Sequence, residues 1–393
     1  MKFLAGLFIF FIISASTMVY AEAETDFPDV AATGAVLMDA ETGRVLWGKN
    51  EHMPLAMAST TKIMTAVIAL ESGRAEELVT VSRRAAAAPK VKMNLTTGEK
   101  IRLGDLMLAL MLESSNDAAV AIAEHLAGSV EDFCAEMTTR AHALGAVNTI
   151  FETASGLDAG QHQSTAYDLA LITRYALDVP GFIELTNTRH ASFKSDKRGY
   201  TFNNRNRLLS EFSGANGVKT GFTNKAGHCF VGAAKRDGMQ LISVVLASGW
   251  GTKGKSQKWI DTKEVLNFGF DAFEFVTILE EDTTAGNVAV TRSRTPAIEL
   301  AFEDGLRIPL GDHERDDVYV EITAPDAVKA PVSQGDTLGI ARVFIGTDFY
   351  AAIPLNATAD ATRHDLKTSL EKVLRVFAEQ FTSEDVEVVL PEF

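Results

Sequence analysis

Only two cysteines occur in 393 residues, Cys134 and Cys229. Two cannot staple a chain of this size, so the fold must stand on a hydrophobic core. Cys134 lies in a helix-like stretch (V-E-D-F-C-A-E-M) and Cys229 in a strand-like one (H-C-F-V-G-A-A), which favours two separate buried thiols. Basic residues are in deficit. Against 52 Asp and Glu stand 37 Lys and Arg, a net charge of −15, and such a surface repels phosphate backbones. That argues against nucleic acid as a partner. The eight histidines are scattered, with no pair at helical ligand spacing, so neither a metal site nor a cofactor is expected. Internal repeats and low-complexity tracts are absent, and beyond the first residues no apolar run is long enough to cross a bilayer.

What is present is an ordinary folded composition, 46% hydrophobic and 23% charged, in a chain long enough for two domains. The opening M-K-F-L-A-G-L-F-I-F-F-I-I-S-A-S-T-M-V-Y-A-E-A sets one Lys before an apolar core and ends in two small-residue sites, at Ala21 and Ala23. This is the layout of a secretory signal peptide, so residues 1–23 are expected to be removed on export to the periplasm or the outer face of the cytoplasmic membrane. An uncleaved anchor helix is the alternative.

Residues 34 to 48 predict two short strands joined by E-T-G. An apolar helix follows and stops at Gly73, and residues 103 to 128 predict two apolar helices interrupted by E-S-S-N. From residue 217 a β meander turns at Asp237-Gly238, and a helix from about Trp259 to Phe273 closes the region. Beyond about residue 276, short β runs alternate with turns. The expectation is an α+β catalytic domain over 24–275, an antiparallel sheet flanked by helices, then a small all-β domain over 276–362. Residues 363–393 are expected to be an amphipathic helix, with Leu366, Leu370, Val373, Leu374, Phe377 and Phe381 on one face, and an acidic tail.

Ser-x-x-Lys occurs twice, at Ser59–Lys62 and at Ser369–Lys372. The second pair flanks the stripe of the amphipathic helix, where a solvated Lys keeps its ordinary pKa and is no base. The first opens an apolar helix. A Lys desolvated there, near a second cation, can lose its proton close to neutral pH and activate the Ser59 hydroxyl. Two further motifs follow in order. Ser114-Ser115-Asn116 interrupts the paired helices, and Lys219-Thr220-Gly221 lies on a predicted strand. Taken alone, each is weak. Together, in that order and behind a signal peptide, they form the signature set of serine penicillin-recognising enzymes.

Within that group the chain resembles the D-alanyl-D-alanine carboxypeptidases, the low-molecular-mass penicillin-binding proteins, over about residues 26 to 355. The likeness runs through V-L-M-D-A-E-T-G-R-V-L, M-A-S-T-T-K-I-M-T, E-S-S-N-D-A-A-V-A-I-A-E, S-G-L-D-A, N-R-N-R-L-L and V-K-T-G-F-T-N-K-A-G. It implies a β-lactamase/DD-peptidase-like fold and a peptidoglycan stem peptide ending in D-Ala-D-Ala as substrate, with β-lactams as inhibitors. By the same resemblance Ser59 attacks, Lys62 takes its proton, Ser114 relays a proton to the leaving amine, and Asn116 holds Lys62 and the substrate amide. Lys219 keeps the site positive, Thr220 and Arg205 bind the terminal carboxylate, and the N–H groups of Ser59 and Phe222, beside Gly221, form the oxyanion hole.

Two positions depart from the usual pattern. Ser155 precedes G-L-D where many members have His, and Phe222 follows the Lys-Thr-Gly where His or Thr is frequent. The C-terminal helix resembles the family's membrane-binding tail, although its polar face lacks the basic excess that anionic lipid attracts. A β-lactamase is the nearest rival, but no E-x-x-L-N stretch positions a deacylating water. A glutaminase fits a signal peptide poorly, and a non-catalytic wall-binding module would not require Ser59, Lys62 and Lys219.

Overall fold

Strands that are apolar at nearly every position need cover on both faces, and this chain supplies it. The structure, a computed structural model, describes residues 27–363, 370 and 373–377. The main sheet is five-stranded and antiparallel, in the order Val45–Lys49, Gly34–Asp39, Met239–Leu246, Gly227–Arg236, Ala215–Thr223. Along Gly227–Arg236, Cys229, Val231 and Ala233 enter one apolar cluster while Phe230 and Ala234 enter another. Met239–Leu246 divides in the same way, Ile242, Val244 and Leu246 against Leu241 and Val245. The period of two thus sends apolar side chains to both sides.

One face packs against helices that include Lys62–Glu71, Asn116–Ala127, Val130–Ala143 and Ala166–Asp178. The other is closed by Gly251–Ala272 through Trp259, Val265 and Leu266. This last helix corrects the sequence reading, which began it at Trp259. G-T-K-G-K-S-Q-K has two glycines and no apolar stripe, so periodicity could not find its first turns. Close backbone contact places them instead, since a Cβ on Gly254 would lie 2.4 Å from the Gly249 carbonyl carbon. The helix ends at Ala272, and Phe273 already belongs to the strand Phe273–Leu279.

The remaining described chain is β. Strands Thr284–Thr291, Ala297–Phe302, Val318–Thr323, Thr337–Ile345 and Asp348–Ala357 carry the five runs expected from the sequence, and with Ala327–Lys329 they form a six-stranded sheet. Its core includes Val288, Leu300, Ala341, Val343 and Leu355. Phe273–Leu279 pairs with Leu306–Gly311 beside it. The turn between the first two strands of the main sheet reaches this second part, where Arg44 donates to the Pro309 carbonyl and pairs with Glu314. The architecture is therefore α+β with a small all-β part behind it.

On the described part of the C-terminal helix, Leu370, Val373, Leu374 and Phe377 are all exposed. The leader, Leu366, Phe381 and the Ser369–Lys372 pair lie outside the described residues.

Candidate active site

A-S-T-T-K folds in two steps. Ala58–Thr61 form a 3-10 turn, and the α-helix begins at Lys62 and runs to Glu71. The Thr60 and Thr61 hydroxyls donate back to the carbonyls of Met57 and Ala58, at 2.7 and 2.8 Å, so both can be buried in front of an apolar helix. Every residue from Lys62 to Ala69 is buried, and Lys62 itself is 0% exposed. Ser59 stays half-buried, its Oγ 2.9 Å from Lys62 Nζ. Ser369–Lys372 lies outside the described residues; Ser59–Lys62 is a pair in contact.

The interruption between the apolar helices is a wide turn. Ala109–Glu113 is π-helical, a conformation often found at functional sites, and it ends at Ser114 with φ 68°. Ser115 stands at the N-terminal cap position of the next helix, whose first residue is Asn116, without a side-chain capping bond. Asn116 Oδ1 accepts from Lys62 Nζ at 2.9 Å. The Asn116 amide is oriented from its other end, because Nδ2 donates to the Pro89 carbonyl at 3.2 Å. Next to it, Asp117 accepts from the N–H groups of Met93 and Leu95, each at 3.0 Å, fastening that loop beside the site.

Lys62 Nζ has one further neighbour, the carbonyl of Ser155. This set of three decides what the amine can do. Asn116 Oδ1 and the Ser155 carbonyl can only accept, so they take the two protons of a neutral amine. The lone pair is then left for the one neighbour able to donate, the Ser59 hydroxyl. Lys62 is driven well below its ordinary pKa, first by burial and then by the charge of Lys219, with Asp117 opposing. Lys219, 2% exposed, is lowered to about 7 by burial and then by Arg205 and Lys258, with Glu113 opposing. Its Nζ donates to the Thr220 carbonyl at 3.1 Å.

The motif strand Ala215–Thr223 lies against the serine turn. A Cβ on Gly221 would come within 3.1 Å of Ala58 Cβ, the Met57 carbonyl and Ser59 N. That close approach is why glycine ends the Lys-Thr-Gly motif, and it sets the next residue, Phe222, beside the serine turn. The Phe222 side chain is 46% exposed and leans on the His228 ring at 4.4 Å. Thr220 is half-buried. Arg205, also partly exposed, is engaged by Glu113, with Nε 3.0 Å from Oε2 and Nη2 on Oε1.

The structure thus joins Ser59, Lys62 and Asn116 by direct hydrogen bonds and sets Gly221 against the serine turn; Lys219 and Arg205 reach the group through their charge. Sequence reasoning missed three contributors. Ser155 was noted only as a departure, yet its backbone carbonyl binds Lys62. Glu113 holds Arg205, and His162 donates toward Thr61 from behind the serine turn. Both cysteines are free and buried.

A serine and a buried lysine in contact, a second buried lysine on the neighbouring strand, and this α+β fold define a serine acyl-transfer enzyme of the penicillin-recognising class. Residues 20–249 match the family described as D-alanyl-D-alanine carboxypeptidase, and residues 273–363 match the penicillin-binding protein 5 C-terminal domain. The chain belongs to the D-alanyl-D-alanine carboxypeptidase family and is a serine peptidase of that type. Among its relatives, D-alanyl-D-alanine carboxypeptidase DacF of Bacillus subtilis is 31% identical over 351 residues, covering 87% of this chain and 89% of the relative. DacC of Escherichia coli is 34% identical over 350 residues, covering 85% and 84%. The crystal structure of penicillin binding protein 5 from Haemophilus influenzae, 28% identical, superposes with a TM-score of 0.73 over 86% of this chain and 99% of that one.

Proposed function

We propose that this enzyme removes the terminal D-alanine from peptidoglycan stem peptides through an acyl-enzyme on Ser59, and that penicillins load the same hydroxyl. The observation that carries this reading is the contact of the buried Lys62 amine with Ser59 Oγ at 2.9 Å, with Asn116 Oδ1 and the Ser155 carbonyl as its other partners. Ser59 attacks the carbonyl between the two D-alanines as Lys62 takes its proton. Ser114 passes a proton to the leaving amine, and Asn116 steadies both Lys62 and the substrate amide. The N–H groups of Ser59 and Phe222 stabilise the oxyanion, a contribution of about 100- to 1,000-fold. Water then releases the shortened peptide. No cofactor takes part.

Thr220 and Arg205 receive the free carboxylate. Glu113 occupies two of the five guanidinium donors and holds Arg205 in place, leaving the others for substrate. The small β domain, taken as residues 276–362, follows a catalytic domain of 24–275.

Intact mass measured after incubation with penicillin tests the reading. One penicillin should add, on the peptide containing Ser59, and the same preparation should release D-alanine from a D-Ala-D-Ala peptide. Rapid penicillin turnover without D-alanine would make it a β-lactamase, and an adduct without peptide turnover a binding module. In the same assays Arg205→Ala should slow the peptide by about 10- to 100-fold, the loss of one charged hydrogen bond, and penicillin loading much less, since the strained ring supplies its own driving force. Equal loss on both would assign Arg205 to holding the site together.

Export and attachment complete the proposal. Residues 1–23 direct the chain across the membrane, and the exposed Leu370, Val373, Leu374 and Phe377 suit peripheral contact with its outer face. Envelope fractionation should find the mature chain starting at Glu22 or Glu24, and deletion of residues 363–393 should move it to the soluble fraction with peptide hydrolysis intact. A retained Met1 would mean an anchor, and an unmoved truncation would clear the tail of any such role.

A further inference from the structure

The residue before the nucleophile is under constraint. Ala58 has φ +49°, a left-handed conformation that an L-residue with a Cβ seldom adopts, and it is 1% exposed. Its conformation sets the direction of the peptide that carries the Ser59 N–H. The Ala58 carbonyl accepts from Thr61 Oγ1 at 2.8 Å. Thr61 Oγ1 lies 2.8 Å from His162 Nε2, and His162 Nδ1 accepts from the Glu152 backbone N–H at 3.0 Å.

The donor order in this chain is forced. Nδ1 faces an N–H and must be bare, so the imidazole proton resides on Nε2. Nε2 donates to Thr61, and the threonine hydroxyl hands its own hydrogen to Ala58. His162 is 3% exposed and sits edge-on to Phe151, so the ring has little freedom to turn away. Burial, then the charges of Lys62 and Lys225, lower it to about 4, which keeps it neutral around pH 7.

We infer that His162 and Thr61 are positioning residues for acylation: a two-link prop that fixes the Ala58 carbonyl, and through that peptide aims the Ser59 N–H at the developing oxyanion. His162 touches neither Ser59 nor substrate, and acts through Thr61 alone. The inference rests on the assignment of Ser59 as nucleophile. It adds that the hydrogen bonds behind the turn, as well as those in front of it, set the rate of bond formation.

Full-length Thr61→Val, Thr61→Ser, His162→Leu and His162→Gln test it. Each is titrated with a fluorescent penicillin to count competent sites, and loading per site is then followed across penicillin concentration, separating encounter from bond formation. Thr61→Val, which keeps the shape and loses the hydroxyl, should slow bond formation by about 10- to 100-fold, part of what an oxyanion donor contributes, with encounter unchanged. Thr61→Ser should stay close to wild type. His162→Leu should slow it in the same sense, and His162→Gln, whose Nε2–H can reach Thr61, should recover most of the loss. The double variant Thr61→Val with His162→Leu should be no slower than Thr61→Val, because both break one chain.

Wild-type loading per site in Thr61→Val would overturn the prop, as would equal slowing by Val and Ser. Should Thr61→Val give no competent sites, His162→Gln against His162→Leu decides: equal rates overturn the proposal. A wild-type protein that never loads would instead remove Ser59 as nucleophile.

Discussion

Lys62→Ala is expected to slow penicillin loading on Ser59 by about 100- to 10,000-fold, the usual worth of a positioned base, in a protein that still folds. The reason lies in the shared burial of two amines. Lys62 and Lys219 both lie in the core, and two ammonium charges there oppose each other. Both are lowered, Lys62 well below its ordinary value by burial and then by the Lys219 charge, and Lys219 to about 7 by burial and then by Arg205 and Lys258. Loading should therefore rise as Lys62 loses its proton and fall above about pH 7 as Lys219 loses its own.

Lys219→Arg keeps a charge that does not titrate in this range and should abolish the alkaline fall, even if the plateau is lower. Stability carries the opposite signature. Between the folded pKa of a lowered lysine and its unfolded value near 10.5, the unfolded chain binds more protons. Folding stability thus rises with pH through this window, and Lys62→Ala should flatten part of that slope. An unchanged loading rate in Lys62→Ala would remove the lysine from the chemistry. An unchanged alkaline limb in Lys219→Arg would assign that limb to another group.

How much of this is legible in the sequence follows from where the information sits. Ser59–Lys62 and Ser114–Asn116 are short-range spacings, and one helical turn or one interrupted helix brings such pairs to a common point. Lys219-Thr220-Gly221 could be placed on a strand because G-V-K-T-G-F and H-C-F-V-G-A-A-K are β-like runs on either side of the loop T-N-K-A-G, with a turn at Asp237-Gly238 beyond. The main-sheet strands and five of the later ones were legible in the same way, as short runs between turn signals, whereas His190–Lys194, Gly199–Asn203, Phe273–Leu279 and Leu306–Gly311 were not. Ser155 acts through a carbonyl that any residue could supply, so its letter carried no sign of the role. The Glu113–Arg205 pair depends on a tertiary contact between distant segments, and a sequence gives no register for that. His162 looked like one scattered histidine, because its partners are a backbone N–H and a hydroxyl 101 positions away. The early start of the Gly251–Ala272 helix was hidden by the glycines its close packing requires.

Gly156→Ala should cost more than any other single-methyl change at this site, and it tests whether the serine turn has room to move. Gly156 has φ +85°, so an added Cβ meets a penalty of about 1–2 kcal/mol from backbone conformation alone. Steric overlap costs more. The new carbon would lie 1.9 Å from the Ala58 carbonyl oxygen and 2.9 Å from Ser59 N. Backbone atoms cannot swing aside as a side chain does. Ala58 is also held from the opposite side, where Gly221 leaves it just 3.1 Å to a hypothetical Cβ. Relief must come from displacing the Ala58–Ser59 peptide by about 1 Å, a shift that typically costs on the order of 100-fold in rate.

Gly98→Ala is the control. It has φ +76° with nothing within 4 Å of the added carbon, so it carries the conformational penalty without the contact. Both variants should unfold at lower urea than wild type, Gly156→Ala by the greater margin. Only Gly156→Ala should lose penicillin loading per titrated site. If the two variants load at the same rate, the turn yields at little cost, and the tight seating of Ala58 between Gly156 and Gly221 does not set the geometry of attack.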